Sequence, residues 1–331
     1  MKRSILITLC TSFFITMTLQ GSASEEPFAI KTKTYSKSYP LSSNEQVTLD
    51  NQFGEMKIST WDRNEIKVDV NIEAKANTDE MAQKILDNIY IQDSKSGSGV
   101  SFVTKMKNQK NNWNHHDNKK DYKEMGMKID YVVYMPSGNP LTATNQFGAM
   151  FVPDFRGPVN LTSKFGSLTA GKLSNVKQIN MEFGEARIES VSGGKVILKF
   201  GKGDIRQVTG NVETRIEFCD KVRVNVDNNS KDLNIRSSYS NLYLNTSTNL
   251  SSSFDIKTSF GEFTNKTGFN VKKQGDDNEK NYGPKFDKQF NGTAGSGSNR
   301  IKVNSDFGEV IMGHNLEVDF SSDKKKKTKV I

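Results

Sequence analysis

The sequence predicts an all-β protein built as a right-handed, single-stranded parallel β-helix (β-solenoid), and three observations carry that prediction. A phrase that starts Phe-Gly, or once Phe-Cys, returns at Phe147, Phe165, Phe183, Phe200 and Phe218, a step of 17 or 18 residues. Apolar residues between these phrases mostly alternate with polar ones, as in half-buried strands. Asn, Gly, Ser and Asp fill the gaps, where they suit turns. A fixed period of this kind is typical of a repeat architecture.

The length of the repeat favours a solenoid over other repeat folds. About 18 residues are too few for a propeller blade, which takes roughly 40. They are enough for one coil of a solenoid, whose equivalent residues stack about 4.8 Å apart. The repeated Phe side chains are expected to form an internal aromatic ladder, and the following Gly to allow a tight turn. The alternative is an antiparallel sandwich in which the Phe-Gly pairs only end strands.

Further copies of the phrase lie outside the regular run, one near the start of the chain and two near its end, with a weaker echo at Tyr239. The residues predicted to form the structural repeat are Phe53, Gly54, Phe147, Gly148, Phe165, Gly166, Phe183, Gly184, Phe200, Gly201, Phe218, Phe260, Gly261, Phe307 and Gly308.

The N-terminus predicts export. Residues 1–24 combine a basic start, an apolar run and small residues that suit cleavage near Ala23 or Ser24, so they are interpreted as a signal peptide. Because no other apolar run reaches spanning length, the mature chain is expected to have no transmembrane span. The predicted location is the periplasm, the outer surface or the medium. Residues 25–320 are expected to form a single solenoid domain, and residues 321–331 a disordered basic tail.

The remaining elements interrupt or cover the predicted solenoid. Residues 78–90 repeat apolar side chains every four positions after a capping-box-like pair, Asn77 and Glu80, which predicts one α-helix that caps the core or is inserted beside it. Residues 107–125 and 264–299 have loop compositions and break the period. Arg300–Ser305 and Glu309–Met312 are expected to supply the final pair of strands.

Charge and composition argue against nucleic-acid binding. The formal net charge is +8, but two of these charges lie in residues 1–24 and four in residues 321–331, so the body carries about +2. The body therefore lacks the clustered basic footprint of a nucleic-acid binder. No motif for a cofactor was found, and none is expected.

Residues that could carry chemistry are few. Cys219 stands where the phrase elsewhere has Gly, and without a nearby His it is interpreted as structural. His115 and His116 lack the spaced further ligands of a closed metal site, so no metal is predicted. Asp204, Asp220 and Glu185 fall near corners, but one acid per coil is what a solvated wall would show. No catalytic residue is assigned.

The stretch from Asn51 to Ile58, Asn-Gln-Phe-Gly-Glu-Met-Lys-Ile, followed by Trp61-Asp62-Arg63, resembles the opening of the putative-adhesin domain of exported bacterial proteins. The succession of Phe-Gly-Glu/Asp-apolar phrases and the helix after the first phrase are similar too. The resemblance covers about residues 30–313. It implies a right-handed β-helix on the outside of a bacterial membrane, and it brings no functional residues with it.

Three functions follow as hypotheses. The first is an exported, non-catalytic surface or envelope protein, adhesin-like, that binds a polymer, a glycan or an envelope protein through extended faces. The second is a structural or signalling envelope component without an external ligand. The third is a polysaccharide-degrading β-helix enzyme, which would need converging acids. Candidate contact groups in the two period-breaking loops are Trp113, Tyr122, Tyr282 and Phe286.

Overall fold

The computed structural model describes residues 28–107, 126–275 and 286–321 of the 331-residue chain. The predicted signal peptide, the greater part of the first loop, the middle of the second loop and nearly all of the basic tail lie outside these residues. The described part is all-β with one α-helix, which confirms the predicted class.

The N-terminal part of the chain, up to Met135, contains seven strands and the helix. Its elements are β1 (Ala29–Pro40), β2 (Gln46–Gln52), β3 (Met56–Thr60), β4 (Glu65–Ala76), α1 (Asp79–Asn88), β5 (Ile89–Ser96), β6 (Gly99–Met106) and β7 (Gly126–Met135). The helix begins after Thr78, whose hydroxyl accepts the Met81 N–H at 3.2 Å. The expected N-cap, Asn77, is therefore one residue early.

The middle and C-terminal parts contain strands only. They are β8 (Leu141–Gln146), β9 (Ala149–Val152), β10 (Phe155–Lys164), β11 (Ser167–Glu182), β12 (Glu185–Ser192), β13 (Lys195–Lys199), β14 (Lys202–Ile205), β15 (Val208–Glu217), β16 (Lys221–Val226), β17 (Ser230–Ser238), β18 (Leu242–Thr246), β19 (Ser252–Ser259), β20 (Glu262–Asn265), β21 (Asn270–Lys273), β22 (Asp287–Ala294), β23 (Asn299–Asp306) and β24 (Glu309–Gly313).

Most strands fall into two ladders of parallel strands, which we call the first wall and the second wall. The first wall contains β6 and the strands that precede a repeat phrase, in the spatial order β6, β2, β8, β10, the second half of β11, β13, β15, β17, β23 and β19. The second wall contains β7 and the strands that follow a repeat phrase, in the order β7, β3, β9, the first half of β11, β12, β14, β16, β18, β24 and β20. We call one strand of each wall, joined by a phrase, a rung.

Both ends of the stack depart from the simple parallel order. At the start, β4 pairs antiparallel with β7 and with β1, and β5 pairs antiparallel with β6, while α1 contacts β1 and β4. At the other end, β22 pairs antiparallel with β19. The strands β23 and β24 were expected to finish the stack, but they lie between the rung of β17 and β18 and the rung of β19 and β20.

The core lies between the two walls and is filled by alternate residues of each strand. In β13, Val196 and Leu198 are buried while Lys195, Ile197 and Lys199 reach the surface. Near the N-terminal end the core contains a polar cluster. The side-chain amide of buried Asn51 donates to the side-chain oxygen of buried Asn145 at 3.0 Å. The Thr104 hydroxyl donates to the side-chain oxygen of Asn51 at 3.1 Å. Each amide oxygen in this cluster therefore has a partner, as a buried polar group requires.

Candidate functional site

The corner between the two walls has the same backbone geometry in nine rungs. The aromatic residue of each phrase has a positive φ, between 49° and 65°, at Phe53, Phe147, Phe165, Phe183, Phe200, Phe218, Tyr239, Phe260 and Phe307. A non-glycine residue rarely adopts this left-handed conformation, because its Cβ crowds the backbone. The repeated choice of an aromatic residue there indicates that its ring offsets the cost.

The glycine of each phrase is required for a different reason from the one expected. We predicted that Gly would supply the tight-turn conformation, but the left-handed residue is the Phe before it. A Cβ placed on Gly184 would lie 1.8 Å from the carbonyl oxygen of Gly166, and one on Gly201 would lie 1.9 Å from that of Gly184. The backbones of the glycines in adjacent rungs therefore lie so close to each other that no side chain fits between them.

The aromatic rings stack face to face along the outside of these corners. Ten rings form this line, which we call the aromatic column: in spatial order Phe53, Phe147, Phe165, Phe183, Phe200, Phe218, Tyr239, Phe307, Phe260 and Phe286. Neighbouring ring centroids are 4.4–5.2 Å apart, and within the nine corner residues the planes deviate by no more than 6°.

The aromatic column is exposed, so the expected inward orientation is wrong. Nine of its residues have 44–52% of their surface accessible, and Phe53 is half-buried. Side chains alternate along a strand, so Phe183, two residues after buried Met181, would point inward in an ordinary strand. The left-handed backbone of Phe183 turns its side chain outward instead. A sequence signal for this exists: polar residues stand both immediately before the Phe and two positions after it in several phrases.

Phe286 extends the column although it belongs to no phrase. Its ring packs on Phe260 with centroids 4.4 Å apart, and half of the residue is exposed. It was among the predicted contact groups. Trp113, Tyr122 and Tyr282, named for the same role, lie outside the described residues.

Charged residues border the column on both sides. We call the residues immediately before the rings the leading flank, and the first strand residues after the glycine positions the trailing flank. In the middle of the column the leading flank reads Lys164, Glu182, Lys199 and Glu217 along adjacent rungs. The trailing flank reads Ser167, Glu185, Lys202 and Lys221.

The leading flank pairs its charges within the wall. Lys164 Nζ lies 3.1 Å from Glu182 Oε2, and Lys199 Nζ lies 3.1 Å from Glu217 Oε2. Burial alone would raise the pKa of Glu182, but hydrogen bonds from Asn180 and Lys164 outweigh it, so its pKa is lowered. The pKa of Glu217 is lowered in the same way by Lys199 and Arg215 against the effect of burial. Both carboxyl groups are therefore ionised at neutral pH.

The three acids considered for catalysis face cations. Asp204, 4% exposed, accepts two bonds of 2.9 Å from the Arg223 guanidinium. Glu185 accepts from Arg187 at 2.5 Å, and Asp220 lies 4.0 Å from Lys202. Each of the three carboxylates thus has a cationic partner.

Cys219 is buried, and its thiol lies 3.4 Å from the carbonyl oxygens of Leu198 and Glu217. Burial raises the pKa of this thiol, so it is held in the unreactive form.

Within residues 28–107, 126–275 and 286–321, no group of three or more His, Cys, Asp or Glu side chains is close enough together to hold a metal ion. His115 and His116 lie outside those ranges. The helix α1 is too short and too polar to cross a membrane, and the described residues contain no longer α-helix.

No protein-family model matches this chain, and no curated protein matches it. Among solved structures it is similar to a putative cell adhesion protein from Clostridium sporogenes, with 13% identity, a TM-score of 0.28, and coverage of 86% of this chain and 100% of that one. It is also similar to a putative adhesin from Bacteroides fragilis, with 10% identity, a TM-score of 0.36, and coverage of 85% and 97%. A third is a putative lipid binding protein from Parabacteroides distasonis, with 11% identity, a TM-score of 0.30, and coverage of 84% and 96%.

Proposed function

We propose that this chain is an exported, non-catalytic surface or envelope protein, and that the aromatic column is the surface through which it binds an extended partner. The partner classes are a polymer, a glycan or a protein. The observation that carries the proposal is the column itself, a continuous line of ten rings on the outside of the molecule.

The size of the column supports a binding role. Nine rings, each about half exposed, present on the order of 800 Å² of largely apolar surface, since a large aromatic side chain offers roughly 150–250 Å². The largest apolar patch of an ordinary monomer is about 300–600 Å², and larger ones mark interaction sites. The column is also about 43 Å long, from nine steps of ~4.8 Å, which suits an extended partner better than a compact one.

The scaffold of this proposal is a right-handed parallel β-solenoid. It is supported by two ladders of parallel strands whose partners are mostly 17–21 residues apart in the chain. The right hand follows from the general rule for parallel crossovers. A stack of this type offers long faces on which weak contacts can add, so attachment would depend on several contacts or several copies acting together.

The test of binding is an array of envelope polysaccharides, matrix proteins, lipid vesicles and the immobilised protein itself, probed with the purified protein in monomeric and in clustered form. We expect binding by the clustered form, reduced at least tenfold in Phe183→Asn and Phe200→Asn. Asn tolerates the left-handed backbone and removes the ring. A matched control is Ile197→Asn, which changes an apolar residue on the first wall away from the column. Equal loss in the control, or binding unchanged in both column variants, would contradict the proposal.

Export has its own test. Mass spectrometry of the protein recovered from the periplasm, surface or medium should find a new N-terminus near Ala23 or Ser24. Recovery of the intact Met1 from those fractions would contradict cleavage.

A further inference from the structure

We infer that the partner of the aromatic column is a second copy of this chain, packed column against column and antiparallel, with a two-fold axis between Phe183 and Phe200. The inference rests on the proposed function, in which the column is a contact surface. It selects a protein among the partner classes, and it specifies which protein and in which orientation.

The stacking of the rings excludes partners that need a free ring face. Sugars and bases bind an aromatic side chain by lying on its face. Within the column, each ring from Phe147 to Phe260 is covered on both faces by neighbours 4.4–5.2 Å away. What remains accessible is the row of ring edges. A second column presents the same row of apolar ring edges, so packing column against column removes both rows from water without needing a free ring face.

The area fits a dimer of ordinary size. The axis between Phe183 and Phe200 is the midpoint of the eight corners from Phe53 to Phe307, so all eight overlap with their counterparts. Seven half-exposed aromatic residues and the less exposed Phe53 present roughly 700 Å² per copy. A standard protein interface buries about 800 Å² per partner. The flanking residues supply the remainder.

The flanks are complementary to themselves in the antiparallel arrangement. Along the leading flank, Glu182 would face the second copy's Lys199, and Lys164 would face its Glu217. Along the trailing flank, Glu185 would face the second copy's Lys202. The two-fold axis repeats every such pair, as in any isologous interface. Opposite charges therefore meet at the centre of the contact, on both sides of the column.

The same charges exclude the parallel arrangement. A two-fold axis along the column would bring the leading flank of each rung against the trailing flank of the same rung. Glu182 would then face Glu185, and Lys199 would face Lys202, in both directions. Like charges in contact penalise that alternative, and specificity commonly includes such a repulsive element.

The flanking side chains are accessible enough to take part. Their exposed fractions are 35% for Lys164, 23% for Glu182, 31% for Glu185, 31% for Lys199 and 21% for Lys202. Their pairs within each wall leave part of every charged group at the surface. A second copy could therefore share these charges without breaking the existing pairs.

Sedimentation velocity over a wide concentration range tests the inference. We expect the purified protein to dimerise, and Glu182→Lys with Glu185→Lys, or Lys199→Glu with Lys202→Glu, to weaken dimerisation at least tenfold. Because each variant repels itself but complements the other, an equimolar mixture of the two should restore a dimer. The matched control is Lys195→Glu with Glu213→Lys, which reverses an exposed pair 3.2 Å apart on the first wall, outside the flanks. It should dimerise like the parent protein.

The outcomes separate this inference from the proposed function. A monomer at all concentrations, or a dimer that no flank variant weakens, would overturn the inference. Weakening by the single variants without restoration in the mixture would overturn the antiparallel arrangement. If the protein is monomeric yet Phe200→Asn still abolishes binding in the array, the proposed function stands and only the identity of the partner is wrong. Circular dichroism of each variant confirms that the fold is retained.

Discussion

In the middle of the stack, from Leu141 to Thr246, strands that neighbour each other in space come from successive repeats of the chain. At the N-terminal end the spatial order is different: β6 and β7, from residues 99–135, precede β2 and β3, and antiparallel strands complete the sheet. The interior differs as well, since most buried residues of the middle are aliphatic, whereas the N-terminal end contains a polar cluster in which Asn51 bonds to Asn145 of β8, the first strand of the middle. The comparison shows that a strand in the middle pairs with strands of the adjacent repeats, whereas a strand at the N-terminal end pairs with strands that are distant in the sequence.

The close backbone approach in the middle should show the largest effect. In Gly184→Ala the new Cβ would meet the Gly166 carbonyl oxygen at 1.8 Å, and both residues belong to the stacked backbone. We expect the free energy of unfolding in urea to fall by more than about 4 kcal/mol, or the protein not to fold. In the control, Gly138→Ala, the Cβ meets no heavy atom within 4 Å. Its effect should stay within about 0.5 kcal/mol, and a similar loss in both variants would refute the explanation.

The polar cluster at the N-terminal end should be next. Asn145 donates to the carbonyl oxygens of Gly54 at 3.0 Å and Ala149 at 3.2 Å, and accepts from Asn51. Asn145→Ala removes three hydrogen bonds from buried groups, although Asn51 still donates to the Ile129 carbonyl oxygen, and the loss should be about 2–4 kcal/mol in urea melts. Ser163 is the register partner of Asn145 in the next rung and makes one bond of 3.4 Å. Ser163→Ala should therefore cost under about 1 kcal/mol. An equal cost would mean that the cluster does not distinguish the end from the middle.

A ring of the aromatic column should matter less than the core beneath it. Phe200→Ala removes two ring contacts, at 4.6 and 5.1 Å, from a residue 44% exposed. Each ring contact contributes about 0.5–1.5 kcal/mol, so the loss should be roughly 1–3 kcal/mol. Leu198→Ala, in the buried core two residues away, should cost about 2–5 kcal/mol. If Phe200→Ala costs as much as Leu198→Ala, the column would be part of the core rather than a contact surface.

The smallest effect should come from the surface of the N-terminal end. A hydrogen bond from the Tyr39 hydroxyl lowers the pKa of Asp93. A lowered pKa in the folded state stabilises the protein above the unfolded value of about 4, and this contribution is lost as the pH falls through the folded pKa. Thermal melts between pH 7 and pH 3 should therefore show a smaller acid-induced loss in Tyr39→Phe. The difference should be small, because the pair is only partly buried and water screens it. A steeper loss in the variant would contradict the assignment.

The sequence predicted the middle of the stack better than its ends, and the comparison explains why. The 18-residue period is a local signal, and so is the alternation of apolar and polar residues over Glu65–Ala76, which by itself predicts a strand where the structure has β4. The orientation of the rings was not predicted, because strict alternation places Phe183 inside, and only the polar residues on both sides of the ring mark its departure from the ordinary β region. Nor was the position of β23 between β17 and β19, since its step from Phe260 to Phe307 carries no information about its neighbours. Of the candidate site, the repeat residues and Phe286 were named, but not their exposure.

The insertion of β23 also sets a limit on the order in which the chain can be completed. The strand β19 is synthesised before β23, yet it reaches the rest of the first wall only through β23. Until residues 299–306 have left the ribosome, β19 lacks its neighbour on that side, and the edge of β17 stays open. Unpaired strand edges invite pairing with other chains. The last rungs can therefore be completed only after β23, one of the latest strands in chain order, has been synthesised.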